Sequence, residues 1–242
     1  MKKLFRISAL AALALGATTL IAQAQSTKHF GIVGGVNFSS FNGSDADGGS
    51  FDVFGDTYTV NTGSLTGFVG GIYAAIPVGT SVVFEPEVLY TSKGARYDTE
   101  YDVVDVGTFS DQLTYRLDYI EIPLLLRYNF QPAGGFYALA GPQVSFNVGC
   151  SADISGDLGT VLKDNGVSTD GGCAVFNILA ETPSDIWIET QANTTIGGIV
   201  GVGFQKDRFG LEGRYDFDFG AAVDGWNAKN AAWEILARIM IK

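Results

Sequence analysis

The chain is short of the residues on which common site chemistries depend. One histidine, His29, and two cysteines, Cys150 and Cys173, do not supply a zinc site, and no metal or cofactor is expected. Asp45-Ala46-Asp47-Gly48 lacks the further ligands and closing glutamate of a calcium loop, so it reads as a solvated acidic turn. Basic residues are few, at 15 against 26 acidic ones. Three of the 15 fall in the first six positions, which leaves 12 against 26, a net charge of −14, from residue 25 onward. So acidic a chain is a poor binder of nucleic acid or anionic lipid. Past residue 24 there is no apolar run of about 18 residues, so no transmembrane helix is expected. A chain like this that spans a membrane must do so as a closed barrel, because an open sheet edge in lipid leaves backbone groups unpaired. Proline is scarce at 6 residues while glycine reaches 32 and aromatics 12%, a mix suited to many strands in close backbone contact.

The first 24 residues read as a cleavable secretory signal. Lys2, Lys3 and Arg6 precede an apolar run from Ile7 to Ile21 and the small-residue pattern Ala22-Gln23-Ala24. Residues 25–242 are then one exported domain, in which Cys150 and Cys173 read as a disulfide.

The most informative stretch is residues 117–130. With period two, Ile120, Ile122, Leu124, Leu126 and Tyr128 share one face, and Tyr119, Glu121, Pro123, Leu125 and Arg127 share the other. Seven further segments repeat the pattern: residues 29–41, 65–76, 82–92, 136–147, 194–205, 209–219 and about 231–241. The apolar registers hold no Lys, Arg, Asp or Glu in their central band, and Asp118 joins that face only near one end. The opposite registers carry Glu85, Glu87, Glu121, Arg127, Glu212, Arg214, Asp216, Glu234 and Arg238. Connections alternate long and short, with long loops at about 42–64, 94–112, 148–193 and 220–230. Alternating loop length and charges sorted to one side predict an all-β, eight-stranded, antiparallel, up-and-down transmembrane barrel with its termini in the periplasm. Pro86 and Pro123 within strands suggest local bulges.

Traced up and down, the aromatics fall at two heights. Phe30, Phe84, Tyr128, Phe130, Phe136, Phe204 and Phe209 lie toward the short turns; Phe38, Phe68, Tyr90, Phe146, Phe217 and Trp233 lie toward the long loops. The lipid-facing set includes Ile120, Ile122, Leu124, Leu126 and Leu211.

Several blocks carry a resemblance. Pro86-Glu87-Val88-Leu89-Tyr90 with Lys93-Gly94, the run from Leu117 to Tyr128, Phe136 to Pro142, and Gly35 to Ser39 are similar to the small outer-membrane β-barrel domain family of Gram-negative bacteria, often called porin-family proteins. The resemblance covers essentially the whole domain, and residues 117–128 are its most specific part. It implies an integral outer-membrane barrel, delivered by periplasmic chaperones and the barrel-assembly machinery. The final residues, Ile239-Met240-Ile241-Lys242, depart from the terminal aromatic common in such chains.

An eight-stranded barrel is filled by its own side chains, so the inward charges are expected to form an ion-pair network that plugs the lumen. The expected function is structural or surface-interacting, through long external loops, in a monomer whose external ligand is unidentified. A small cation-preferring channel is the first alternative, since inward carboxylates outnumber arginines. A secreted soluble barrel carrying a ligand is the second. An enzyme is not expected: outer-membrane hydrolases and acyltransferases generally use a histidine base, and His29 sits at the periplasmic end.

Overall fold

The computed structural model describes residues 29–241, apart from 45, 47, 54–55, 104–106, 132–134, 165, 167–168, 172–193 and 223–227. The signal at residues 1–24, Cys173 and the segments 174–180 and 186–189, whose sequence suits a hairpin beyond the barrel rim, lie outside the described residues. In chain order the elements are β1 (His29–Asn42), β2 (Gly49–Val53), β3 (Asp56–Pro77), β4 (Val82–Val103), β5 (Gly107–Asn129), β6 (Gly135–Gly156), α1 (Asp157–Asp164), β7 (Asp170–Gly171), β8 (Thr194–Lys206), β9 (Phe209–Asp218) and β10 (Lys229–Met240).

Eight of these strands form a ring. Each of β3, β4, β5, β6, β8, β9 and β10 pairs antiparallel with its neighbours, and β1 closes the circuit by pairing with both β10 and β3. Val33, for instance, stands opposite Arg238 on one side and Gly71 on the other. The short strands β2 and β7 add to β3 and β6 outside the ring. Closure removes the edges that an open sheet would present.

Strand lengths are unequal, and this corrects the expected loops. β1, β8, β9 and β10 run 14, 13, 10 and 12 residues, close to the roughly 9–11 that cross a bilayer. β3, β4, β5 and β6 run 22, 22, 23 and 22 residues, about twice that length. Residues 42–64 and 94–112 are therefore largely β-hairpin rather than loop, and Cys150 lies within β6 opposite Leu117. One wall of the barrel continues as a paired ribbon past the level where the other wall stops.

The side chains of that wall invert in character at a definite height. Below the level of Lys93 and Asp118, the inward positions of β4 and β5 hold Glu85, Glu87, Thr91, Glu121 and Arg127 interleaved with the buried Val83, Leu89 and Leu125, and the outward ones are apolar. Above it, Ala95, Leu113 and Tyr115 point inward to an apolar cluster, while Arg96 and Arg116 are exposed on the outer face. A register shift between Asp118 and Tyr119 falls at the same height, with a second between Ser64 and Val69.

The prolines behave differently from expectation. Pairing of β4 with β5 keeps one register from Val82↔Tyr128 through Pro86↔Leu124 and Leu89↔Glu121, and β5 with β6 keeps one from Tyr119↔Asn147 through Pro123↔Gln143 to Asn129↔Tyr137. Neither Pro86 nor Pro123 makes a bulge. Each instead interrupts pairing with the preceding strand: β3–β4 pairs resume after a gap opposite Pro86, and β4–β5 pairs after a gap opposite Pro123. The missing N–H removes a ladder bond locally, and the pairs on either side hold the register.

Candidate functional site

The interior is the candidate site, because alternation on four strands delivers its charged groups there. Glu85 and Glu87 come from β4, Glu121 and Arg127 from β5, Glu212, Arg214, Asp216 and Asp218 from β9, and Glu234 and Arg238 from β10; all are buried. Toward the short turns three carboxylates meet three guanidiniums. Arg214 grips Glu87 with two bonds of 2.7 and 2.8 Å and also pairs with Glu212. Arg238 bridges Glu212 at 2.7 Å and Glu85 at 2.9 Å, and Arg127 reaches Glu85 at 2.9 Å. The charges balance, and each carboxylate has a guanidinium partner, the condition under which buried ions are tolerated.

Two tyrosines brace this tier. Tyr73 on β3 stands opposite Gly31 on β1, and Tyr137 on β6 stands opposite Gly203 on β8. In both cases the ring lies where a Cβ on the glycine would be. Each ring takes a guanidinium on its face, Arg238 at 4.0 Å from the Tyr73 centroid and Arg127 at 4.3 Å from that of Tyr137. Tyr137 also donates its hydroxyl to Glu212 at 2.7 Å.

Toward the hairpins the balance is lost. Lys93 is the cation set among Glu121, Asp216, Asp218 and Glu234, while Arg214, across the strand pair from Glu234, is held by Glu87 and Glu212. Its ammonium donates to Glu121 at 2.6 Å and to Asp216. Thr91 donates to the second Glu121 oxygen at 2.9 Å, and Gln143 donates to Asp216. The charges expected inside do not include Lys93, which the structure buries among them. The signal was available: the inward odd positions from Val83 to Thr91 reach Lys93 at the next step.

Above the ions an apolar layer closes the mouth. Phe41, Ala95, Tyr115, Leu117, Tyr119 and Ala228 pack together there, with the Phe41 and Tyr115 rings edge to face at 5.9 Å. Tyr119 joins the layers, accepting a bond from Asn230 at 2.9 Å. Burial pushes the Tyr115 phenol up to about 12. Outside this layer a polar cleft of about 520 Å³ opens between the end of β1 and the β2–β3 hairpin, lined by Ser40, Asn42, Thr59, Asn61 and Thr62 among others.

The outer surface of the ring is apolar. Leu126 and Leu211 are exposed, and Ile120, Ile122 and Leu124 are half-buried by their neighbours on the same face. Tyr128, Phe136, Phe204 and Phe209 are exposed near the short turns, with Phe136 against Phe204 at 5.0 Å. Phe38, Phe68, Tyr90 and Trp233 are exposed toward the hairpins, where Phe68 stacks on Tyr90 at 5.5 Å. His29 is the first residue of β1, opposite Ala75 and so at the short-turn end.

A model of the outer membrane protein beta-barrel domain matches residues 22–222. The chain belongs to that family. As an outer-membrane β-barrel domain, it is assigned to the outer membrane, and a soluble carrier loses its support. Three solved barrels are similar to it. Neisserial surface protein A (NspA) is 16% identical, with 88% of this chain and 99% of that one covered and a TM-score of 0.47. Ail, the attachment invasion locus protein of Yersinia pestis, solved in complex with the heparin analogue sucrose octasulfate, is 10% identical over 89% and 100%, with a TM-score of 0.41. OprG from Pseudomonas aeruginosa is 15% identical over 90% and 96%, with a TM-score of 0.34. Among curated proteins none matches.

Proposed function

We propose that this outer-membrane barrel is a closed, non-conducting support that presents its long hairpins as an external binding surface. The observation that carries this reading is the double closure of the interior: the paired ions of Glu85, Glu87, Glu212, Arg127, Arg214 and Arg238 lie below, and the Phe41–Tyr115–Tyr119 layer lies above. In this reading Ile120, Ile122, Leu124, Leu126 and Leu211 meet acyl chains, and the two sets of aromatics mark the two interfaces. The short turns and His29 face the periplasm. The height of Lys93 and Asp118 is the outer boundary of the bilayer, because outward residues turn from apolar to charged there. The β2–β3, β4–β5 and β6 extensions then stand in water, with the segment after Cys150 tied back by a disulfide to Cys173. The signal directs export, chaperones and the barrel-assembly machinery insert the chain, and the barrel works as a monomer without catalysis.

Current across a planar lipid bilayer tests this reading. The purified, folded protein is expected to be silent. Steady cation-selective openings would replace it with the channel reading, for which the excess of inward carboxylates is the supporting feature.

A further inference from the structure

We infer that the upper lumen is a binding site for a hard divalent cation, with Ca²⁺ the ion it suits, held by Glu121, Asp216 and Glu234. The inference is independent of whether the barrel conducts. It departs from the expectation of no metal because the three residues come from β5, β9 and β10 and have no common spacing in the chain.

The first observation is geometric. One carboxylate oxygen from each of the three lies within 4.8 Å of those of the other two. Ca–O distances of about 2.3–2.6 Å let one ion bridge such a spread. All the donors are oxygens, which selects hard cations over zinc or copper.

The second observation is Glu234 itself. It is 2% exposed, and neither of its carboxylate oxygens has a hydrogen-bond partner among the described residues. Its cross-strand neighbour on β9 is Arg214, but that guanidinium is committed to Glu87 and Glu212. Asn37, its neighbour on β1, donates instead to the carbonyl oxygens of Ser92 and Phe68. A buried carboxylate without a donor is costly, and a cation bound beside it removes that cost. Gln143 adds to the pattern: its nitrogen serves Asp216, while its oxygen, also buried, has no partner among the described residues.

Lys93 sets the strength of the site. It neutralises part of Glu121 and Asp216, so an incoming ion shares those carboxylates with an ammonium. Affinity is accordingly modest, with Kd about 0.1–1 mM, the range of weak oxygen-ligand sites.

The test is equilibrium dialysis against radioactive calcium, using full-length mature protein refolded in detergent with the ion present so that the closed mouth does not limit entry. Saturable uptake is expected. E234Q should weaken it about tenfold or more, and K93Q should strengthen it severalfold. Heat-dependent gel mobility confirms that each variant is folded; if E234Q is not, E121Q is used in its place with the same expected loss. Absence of saturable uptake overturns the inference. So does uptake of equal strength in the wild type and the folded carboxylate variant, which assigns the ion to the acidic surface.

Discussion

Arg214 of β9 reaches across the lumen and holds both oxygens of Glu87 on β4, at 2.7 and 2.8 Å. The two residues are far apart in sequence and fully buried, so this contact ties opposite walls of the ring together rather than adjacent strands. Arg214→Met would leave Glu87 and Glu212 short of charge in a site water does not reach. A loss of about 3–5 kcal/mol is expected, the usual penalty for removing one partner of a buried pair. Combining it with Glu87→Met should restore part of that loss. Urea unfolding in lipid vesicles, run as a double-mutant cycle, checks this; strictly additive losses would show that the pair is not coupled.

The tyrosine–glycine pairs lead to a second expectation. A methyl group at Gly203 would collide with the ring and hydroxyl of Tyr137. Moving that ring disturbs both its bond to Glu212 and its contact with Arg127. Gly203→Ala is therefore expected to cost about 1–3 kcal/mol, as overpacking generally does. In a Tyr137→Leu background the added cost should shrink, and an undiminished cost would trace the effect to the backbone instead.

How far the sequence carries the reader is clearest on β4 and β5. From Val82 to Thr91 and from Tyr119 to Tyr128, the uncharged face outward and the charges turned inward follow the pleat, and strand, face and neighbour can all be read from it. Past Lys93 and before Asp118 the pleat continues unchanged, but the two solvents trade places: water outside, an apolar layer inside. A reader following hydrophobicity sees the pattern end and writes a loop, although Tyr97↔Leu113 and Ala95↔Tyr115 are still paired. On β6 the register shift beside Tyr119 and Asn147 adds a change of phase. Lys93 stands at that change of solvent. Its position continues the inward odd series, but a lysine at the apparent end of a strand reads as surface. The partners of the lumenal ions were not legible at all, since alternation assigns a face and leaves height and rotamer to the assembled ring.

Cys150→Ser separates the ribbon from the ring. Cys150 is paired in β6 opposite Leu117, above the ionic layers. With the proposed bond to Cys173 removed, the segment before Thr194 is freed while the lumenal ion pairs, which Cys150 does not touch, stay in place. Circular dichroism and heat-dependent gel mobility should stay as in the wild type, while protease cuts between Cys150 and Thr194 more readily. Loss of the strand signal would mean that the bond supports the barrel itself.

The boundary at Lys93 and Asp118 gives the most direct expectation, because the same outward face of β5 crosses it. Leu124 is placed below it and Thr114 above, where Thr114 stands between Arg96 on β4 and Asp153 on β6. Leu124→Arg should weaken folding into vesicles by about 2–4 kcal/mol, the cost of a basic side chain near the bilayer midplane. Thr114→Arg, in water and beside both signs of charge, should change stability by no more than about 0.5 kcal/mol. The contrast matters more than either value. Equal penalties would put the bilayer around the hairpins too, and two negligible ones would mean that the apolar girdle does not face lipid.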